Sequence, residues 1–402
     1  MTVTTKFSKL EREEPDAIVQ IMNKYSEDTD DRKVDVTIGV YKSESGESYL
    51  FPSVAKAKEI LRANDPGHSY TVMSGIPEFI EGARRVVFGN DIPQEGKLAS
   101  LQTISGTGAL HMAFVFLKEA GYTNYYLGIP SWSNYIGMIE HIGGTVTTYN
   151  HYDETTRAVD FDSVTENLES APSNSVFLFQ ACCHNPTGAD FTKDQWIKIA
   201  EIVKTRGLFI LFDNAYQGFS SGNTEDDAWA IRYFYRQHLE FIVCESFAKN
   251  LGLYGERVGA LHVVVQDKDY VDNAQSTLTA LFRHECSFAP AFGARLGSII
   301  FQSPELWKVW ENDVAEITER LHHTRKQIYD RLVQLNTPGK WDHVIHQNGL
   351  FWFSGLTPAQ NERLITKHHV YSTNIGRVNV AGINKSNVDY FCQAIDEVVR
   401  NA

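Results

Sequence analysis

From about residue 98 the chain alternates short apolar runs with amphipathic stretches, and this alternation restricts the fold more than any other feature. The runs are Leu98–Ile104, Tyr125–Ile129, Thr145–Tyr149, Val176–Gln180, Leu208–Phe212, Phe241–Cys244 and Val258–Val265. Helical spacing follows the first run as far as Lys118, resumes from Trp132, and covers Lys193–Lys204. Runs this short and this apolar read as strands covered on both faces, and helices between them are crossovers. The expectation is an α/β fold with a largely parallel sheet flanked by helices.

The flanking segments read differently. Residues 1–12 form an extended arm with apolar points at Phe7 and Leu10, and such an arm frays unless it docks. Pro15-Asp16 opens a helix through Ile18, Ile21, Met22 and Tyr25. Val34–Val40 alternates like a strand, Pro52 opens a second helix, and Ile76–Phe88 is a third. Pro304–Leu335 is one long helical stretch, a spine between two domains. Short strands over Gly349–Phe353 and Gly376–Val380 and a last helix from Val388 follow. The expected division is an arm at 1–12, a small α+β domain from 13–45 and 310–402, and a large domain over 46–309.

Composition excludes several classes. A net charge of -13 disfavours nucleic acid and anionic membranes as partners. No apolar run approaches membrane-spanning length. The opening residues carry neither a signal peptide nor a transit peptide pattern, which points to the cytoplasm. The five cysteines are odd in number and lack CxxC spacing, so reduced thiols and no metal site are expected.

The candidate chemistry centres on Lys249, just past the Phe241–Cys244 run in Glu245-Ser246-Phe247-Ala248-Lys249-Asn250. Desolvation there lowers an amine's pKa and makes it a nucleophile toward a carbonyl, the chemistry of a Schiff base. A solvated loop lysine is the plain alternative. Ser105-Gly106-Thr107-Gly108 stands at a strand-to-helix junction, where bared N–H groups and hydroxyls bind phosphate; a tight turn explains it as well. Asn185, in His184-Asn185-Pro186-Thr187-Gly188, offers an amide donor or a capping turn. Asp213 ends a hydrophobic strand, with Tyr216 three residues on. A carboxylate there can face a protonated pyridine nitrogen, or simply cap a helix. Arg257, Arg283 and Arg377 are candidate anion clamps, Arg377 on an apolar strand that demands an acceptor for it. Phosphate cradle, stacking aromatic (Trp132), amide donor, acid with phenol, lysine and arginines together are the parts needed to hold pyridoxal phosphate.

In these motifs, and along nearly its whole length, the chain resembles the aspartate/aromatic aminotransferase family of fold-type I pyridoxal-phosphate enzymes. The pieces that carry the resemblance are Ser105–Leu110, His184–Gly188, Asp213–Phe219, Ser246–Asn250 and Gly252–Gly259. It implies a large domain with a mostly parallel seven-stranded sheet and a smaller α+β domain. It further implies that Lys249 holds pyridoxal 5′-phosphate and then shuttles a proton. Asp213 keeps the pyridine nitrogen protonated, and Tyr216 and Asn185 bond the phenolic oxygen. Ser105, Gly106, Thr107, Ser246 and Arg257 hold the phosphate, with Tyr70 from a neighbouring subunit, while Trp132 stacks on the ring. Arg377 grips the substrate α-carboxylate, and Gly39 faces the substrate through its backbone. Arg283 of a neighbouring subunit grips a distal carboxylate. A homodimer with shared sites follows, the arm crossing between subunits.

Three positions depart from the family pattern: Tyr135 where a histidine usually stands behind the acid, Ala248 directly before Lys249, and Phe288 in a usually polar run. Tyr135 retains a hydroxyl for Asp213. Ala248 removes one phosphate donor and leaves Ser246 and Arg257 to cover it. Phe288 makes the distal end more apolar. The expected activity is amino transfer between an L-amino acid and 2-oxoglutarate, aspartate being the first donor and aromatic amino acids the alternative. A nicotinamide oxidoreductase built on the Gly106/Gly108 turn lacks the third glycine, because His111 stands there. An inactive binding protein on the same fold is the remaining rival.

Overall fold

The computed structural model describes residues 5–12 and 14–401. Residues 1–4 of the expected arm and Glu13 lie outside the described residues. Seven strands form one sheet: β1 (Leu98–Ile104), β2 (Asn124–Ile129), β3 (Thr145–Asn150), β4 (Val176–Gln180), β5 (Phe209–Asn214), β6 (Phe241–Ser246) and β7 (Val258–Val264). Their order is β1-β7-β6-β5-β4-β2-β3, and every pairing is parallel except the two that β7 makes. Residues 247–257 are too few for a helical crossover, so β7 has to run back antiparallel beside β6.

Alternation along the strands sorts their side chains onto two faces. Leu178, Leu211 and Cys244 pack with Ala109, Leu110 and Tyr135 on one face. Phe179, Phe212 and Val243 pack with Trp196 and Phe234 on the other. The helices that position the site are α1 (Ala17–Glu27), α2 (Pro77–Phe88), α3 (Ser105–Glu119), α4 (Asn134–His141), α5 (Val271–Glu285) and α6 (Pro304–Gln334).

The expected strand at Val34–Val40 is cut to Val34–Asp35, paired parallel with Val370–Tyr371. Beyond it, side chains replace the ladder: Asn379 Nδ2 donates to the carbonyls of Ile38 (2.6 Å) and Val40 (2.9 Å). Arg377–Asn379 pairs antiparallel with Phe351–Phe353. The expected long helical stretch is one helix, α6, of 31 residues. It buries Trp310, Val314, Ile317, Leu321, Ile328 and Leu332, a helical stripe.

Within that stripe sits a buried cation. Arg325 donates to the carbonyls of Val344 (3.0 Å), Gly349 (2.9 Å) and Phe351 (2.6 Å), and burial pulls its pKa down to about 10. Replacing it by an apolar side chain leaves three buried acceptors without donors. Arg325→Leu is therefore expected to destabilise the protein by about 3–5 kcal/mol, read as a lower urea midpoint. An unchanged midpoint rejects this role.

Candidate active site

The C-terminal ends of β1, β2, β4, β5 and β6 open on one edge of the sheet, where α/β folds place ligands. A cleft of about 90 Å³ lies there, lined by Ser105, Gly106, Thr107, Leu110, Trp132, Gln180, Asn185, Asp213, Tyr216, Ser246, Lys249 and Arg257. The expected residues thus converge from segments more than 150 positions apart in the sequence, from Ser105 to Arg257.

The short 247–257 connection sets Lys249 in the cleft. Its Nζ lies 5.0 Å from the Tyr216 ring centroid. Burial, with the nearby charges of Arg257 and Arg377, lowers its pKa to about 8, against the pull of Asp213. Asp213 shows the converse shift: burial raises its pKa to about 6, opposed by the Tyr135 hydrogen bond and by Lys249. The Tyr135 hydroxyl, on α4, donates to Asp213 Oδ2 at 2.5 Å. Among the described residues Asp213 Oδ1 has no hydrogen-bond partner, although it is buried. A buried acceptor without a donor fits a protonated ring nitrogen.

The other end of the cleft suits an anion. α3 begins at Ser105 with no side chain capping it, so its first N–H groups are free. The Ser105 and Ser246 hydroxyls share a hydrogen bond of 3.0 Å, and Ser246 Oγ also accepts from the Ala248 N–H at 3.2 Å. A Cβ on Gly259 would stand 2.6 Å from both the Glu245 carbonyl oxygen and the Ser105 carbonyl carbon, so glycine alone lets β7 pass this close.

Arg377 is buried beside the cleft. It donates to Asn185 Oδ1 (3.0 Å) and to the Thr37 carbonyl (2.9 Å), and its guanidinium lies 4.2 Å from the Phe351 ring centroid. Its Nε has no partner among the described residues. Gly39 packs on the same ring, where a Cβ would come within 2.7 Å of Phe351 Cζ. Gln180 was absent from the sequence-based site. It clamps Asn185 twice, accepting from its N–H (2.8 Å) and donating to its carbonyl (3.0 Å). A polar residue ending the apolar run Val176–Gln180 was the signal for it.

Tyr70 and Arg283 do not line this cleft. Tyr70 is 88 % exposed and stacks on Phe288 at 4.9 Å, while the Arg283 guanidinium lies 6.0 Å from the same ring. The five cysteines are free, four of them buried. Among the described residues no cluster of His, Cys, Asp and Glu could hold a metal ion, and no helix is long and apolar enough to cross a membrane.

Comparison with known proteins identifies the family. The family model "Aminotransferase class I and II" matches residues 31–395. The cytoplasmic aspartate aminotransferase of Schizosaccharomyces pombe is 39 % identical over 402 residues, 98 % of each chain. The solved cytoplasmic aspartate aminotransferase of Saccharomyces cerevisiae superposes with a TM-score of 0.95 at 37 % identity, covering 98 % of this chain and 99 % of that one. The aromatic-amino-acid aminotransferase of Burkholderia pseudomallei, solved covalently bound to pyridoxal phosphate, gives 0.96 at 32 % identity, covering 98 % and 100 %. The chain belongs to the class I and II aminotransferase family, and the relatives it resembles include both aspartate and aromatic enzymes.

Removing the Tyr135 hydroxyl takes away the hydrogen bond that lowers the Asp213 pKa. In Tyr135→Phe the Asp213 carboxyl is expected to take up its proton at higher pH than in the parent, followed by infrared titration of the cofactor-free protein. An unshifted titration rejects the coupling.

Proposed function

We propose that this chain moves the amino group of L-aspartate to 2-oxoglutarate, giving oxaloacetate and L-glutamate, with pyridoxal 5′-phosphate as cofactor. The observation that carries the reading is the pairing of a desolvated Lys249 amine with a buried, half-satisfied Asp213 in one cleft. When bound, the cofactor supplies an aldehyde carbon that condenses with amines and a ring that accepts electron density.

The chain's own residues do the rest in this reading. Lys249 Nζ, with a pKa near the working pH, takes the proton from the substrate Cα and returns it. Asp213 Oδ1 holds the ring nitrogen protonated. Tyr216 and Asn185 donate to the phenolic oxygen; Asn185 is free to do so through Nδ2, because its Oδ1 accepts from Arg377. Ser105, Gly106, Thr107, Ser246 and Arg257 hold the phosphate, and Trp132 covers the ring. Arg377 turns toward the substrate α-carboxylate, for which its unpartnered Nε leaves capacity. Gly39 brings backbone to the substrate.

The division into an arm, a small domain (13–45 and 310–402) and a large domain (46–309) belongs to this proposal. So does a homodimer with shared sites, in which Tyr70 and Arg283 serve the neighbouring cleft. Their exposure, and that of Phe7 (72 %) and Leu10 (76 %) on the arm, supports it. A cytoplasmic location is supported by the names of the relatives described above. A second reading, transamination of aromatic amino acids, is favoured by Phe288, an aromatic ring held beside Arg283.

Lys249→Ala is expected to lower turnover by roughly 10⁴-fold or more, and normal turnover in that variant sinks the assignment. Arg377→Ala should lower kcat/KM about 100-fold for every donor, since one buried charge pair to the common α-carboxylate is lost. Arg283→Ala should depress only aspartate and glutamate, leaving phenylalanine and tryptophan unchanged. Equal losses for all donors reject the distal clamp.

A further inference from the structure

Behind the proposed cofactor site, on the opposite face of the sheet, a buried polar row crosses the strands. Ser100 on β1 is registered with His262 on β7, and Glu245 on β6 with Asn214 on β5. Registered neighbours project from the same face. Arg84 Nε, on α2, donates to Ser100 Oγ at 2.8 Å. Ser100 Oγ lies 2.8 Å from His262 Nδ1, and His262 Nε2 lies 3.4 Å from Glu245 Oε2. The Glu245 and His262 side chains are both fully buried.

One arrangement of protons gives every member of the row a partner. Ser100 accepts from Arg84, so its own hydroxyl is free to donate to His262 Nδ1. His262 then carries its proton on Nε2 and donates to Glu245 Oε2. Two buried acceptors remain without donors among the described residues: Glu245 Oε1 and Asn214 Oδ1, on directly registered residues. A carboxylate cannot satisfy either. A proton on Oε1 would supply the one donor that this pair of registered neighbours lacks. Asn214 in turn donates to Gln217 Oε1 at 2.6 Å, and Gln217 bonds the carbonyls of Val86 and Thr224.

We propose that Glu245 is held as a neutral carboxylic acid that donates to Asn214, closing a hydrogen-bond chain Arg84–Ser100–His262–Glu245–Asn214 that positions Asp213 and Ser246. Each of those two site residues is the immediate neighbour of a chain member, pointing to the other face. Burial agrees with the assignment, raising the Glu245 pKa and lowering that of His262 to about 3. The charged and titratable groups on the elements packed here are His262 from β7, Arg84 and Glu81 from α2, and Arg232, which pairs with Glu225 and binds the Val86 and Val87 carbonyls of α2; among the described residues only His262 hydrogen-bonds the Glu245 carboxyl. Glu245 is a positioning residue: it touches neither substrate nor cofactor. Its role toward the cofactor rests on the function proposed above, whereas its protonation does not.

Infrared difference spectra of cofactor-free protein against Glu245→Gln at pH 7.5 test the proton directly. A protonated-carboxyl band present in the parent and lost in the variant is expected; a carboxylate difference band instead overturns the proposal. Because the folded-state pKa is raised, the stabilisation by Glu245 is full below about pH 4.3 and is lost as pH rises toward the folded value. The Tm of Glu245→Gln should therefore gain on the parent as pH increases, and a constant difference overturns the idea. For the positioning role, Glu245→Leu and, at the far end of the chain, Asn214→Ala should each raise the Kd for pyridoxal 5′-phosphate about ten-fold. Glu245→Gln, which keeps a donor, should stay within about two-fold of the parent. Parent-like affinity in Asn214→Ala rejects the positioning role even if Glu245→Leu fails to fold.

Discussion

Lys249 and Asp213 face each other as opposite charges in a cleft where neither is fully hydrated. Burial alone would neutralise both. Each restrains the other's shift, and the result is an amine near pKa 8 and a carboxyl near 6. Both values stand close to neutrality, so each group can change protonation at little cost. The Tyr135 hydroxyl biases the acid toward its ionised form. The rest of the architecture holds this pair in place.

The sheet does so by topology. Strand ends from five segments share one edge, so each site residue sits at the end of a rigid element or within a few residues of it. The connection from β6 to β7 is the informative exception, because it is short. A helical crossover there would carry Lys249 away from the edge. The tight return instead leaves the lysine and Arg257 over the cleft, and Gly259 permits the close passage of β7 against Ser105. From the opposite side, the Phe351–Phe353 and Arg377–Asn379 pair delivers Arg377 to Asn185. Arg325 on α6 fastens that pair to the long helix through the Phe351 carbonyl.

Much of this was legible in the chain. The seven runs became the seven strands; burial on both faces explains the apolar central ones, whereas Thr145–Asn150 is an edge strand that is largely exposed. The cleft residues were legible because each stands at the end of such a run. What escaped was set by partners distant in sequence. Val34–Val40 alternates like a strand, yet the Ile38 and Val40 carbonyls are taken by the Asn379 side chain, which local pattern cannot reveal. Gln180 acts through reciprocal bonds to Asn185, and Arg325 reads as one more helix arginine until its three carbonyl partners are known. Tyr70 and Arg283 lie outside the cleft of their own chain; residue pattern gave no sign of this, and only the family resemblance offered them to a neighbouring subunit.

The three departures from the family pattern act on different parts of the site. Tyr135 keeps a donor to Asp213 but cannot carry a positive charge, so it lowers the acid's pKa only through a neutral hydrogen bond. Ala248 gives up a hydroxyl, yet its N–H binds Ser246 Oγ and so orients the hydroxyl that remains. Phe288 touches neither the acid nor the amine. Its ring is fixed against Tyr70 and lies near the Arg283 guanidinium, a contact worth about 0.5–1 kcal/mol at an exposed site. An arginine drawn to an aromatic face is that much less available to a carboxylate. On the proposed function, the first two changes adjust the chemistry common to every donor, and the third alone bears on which donor is preferred.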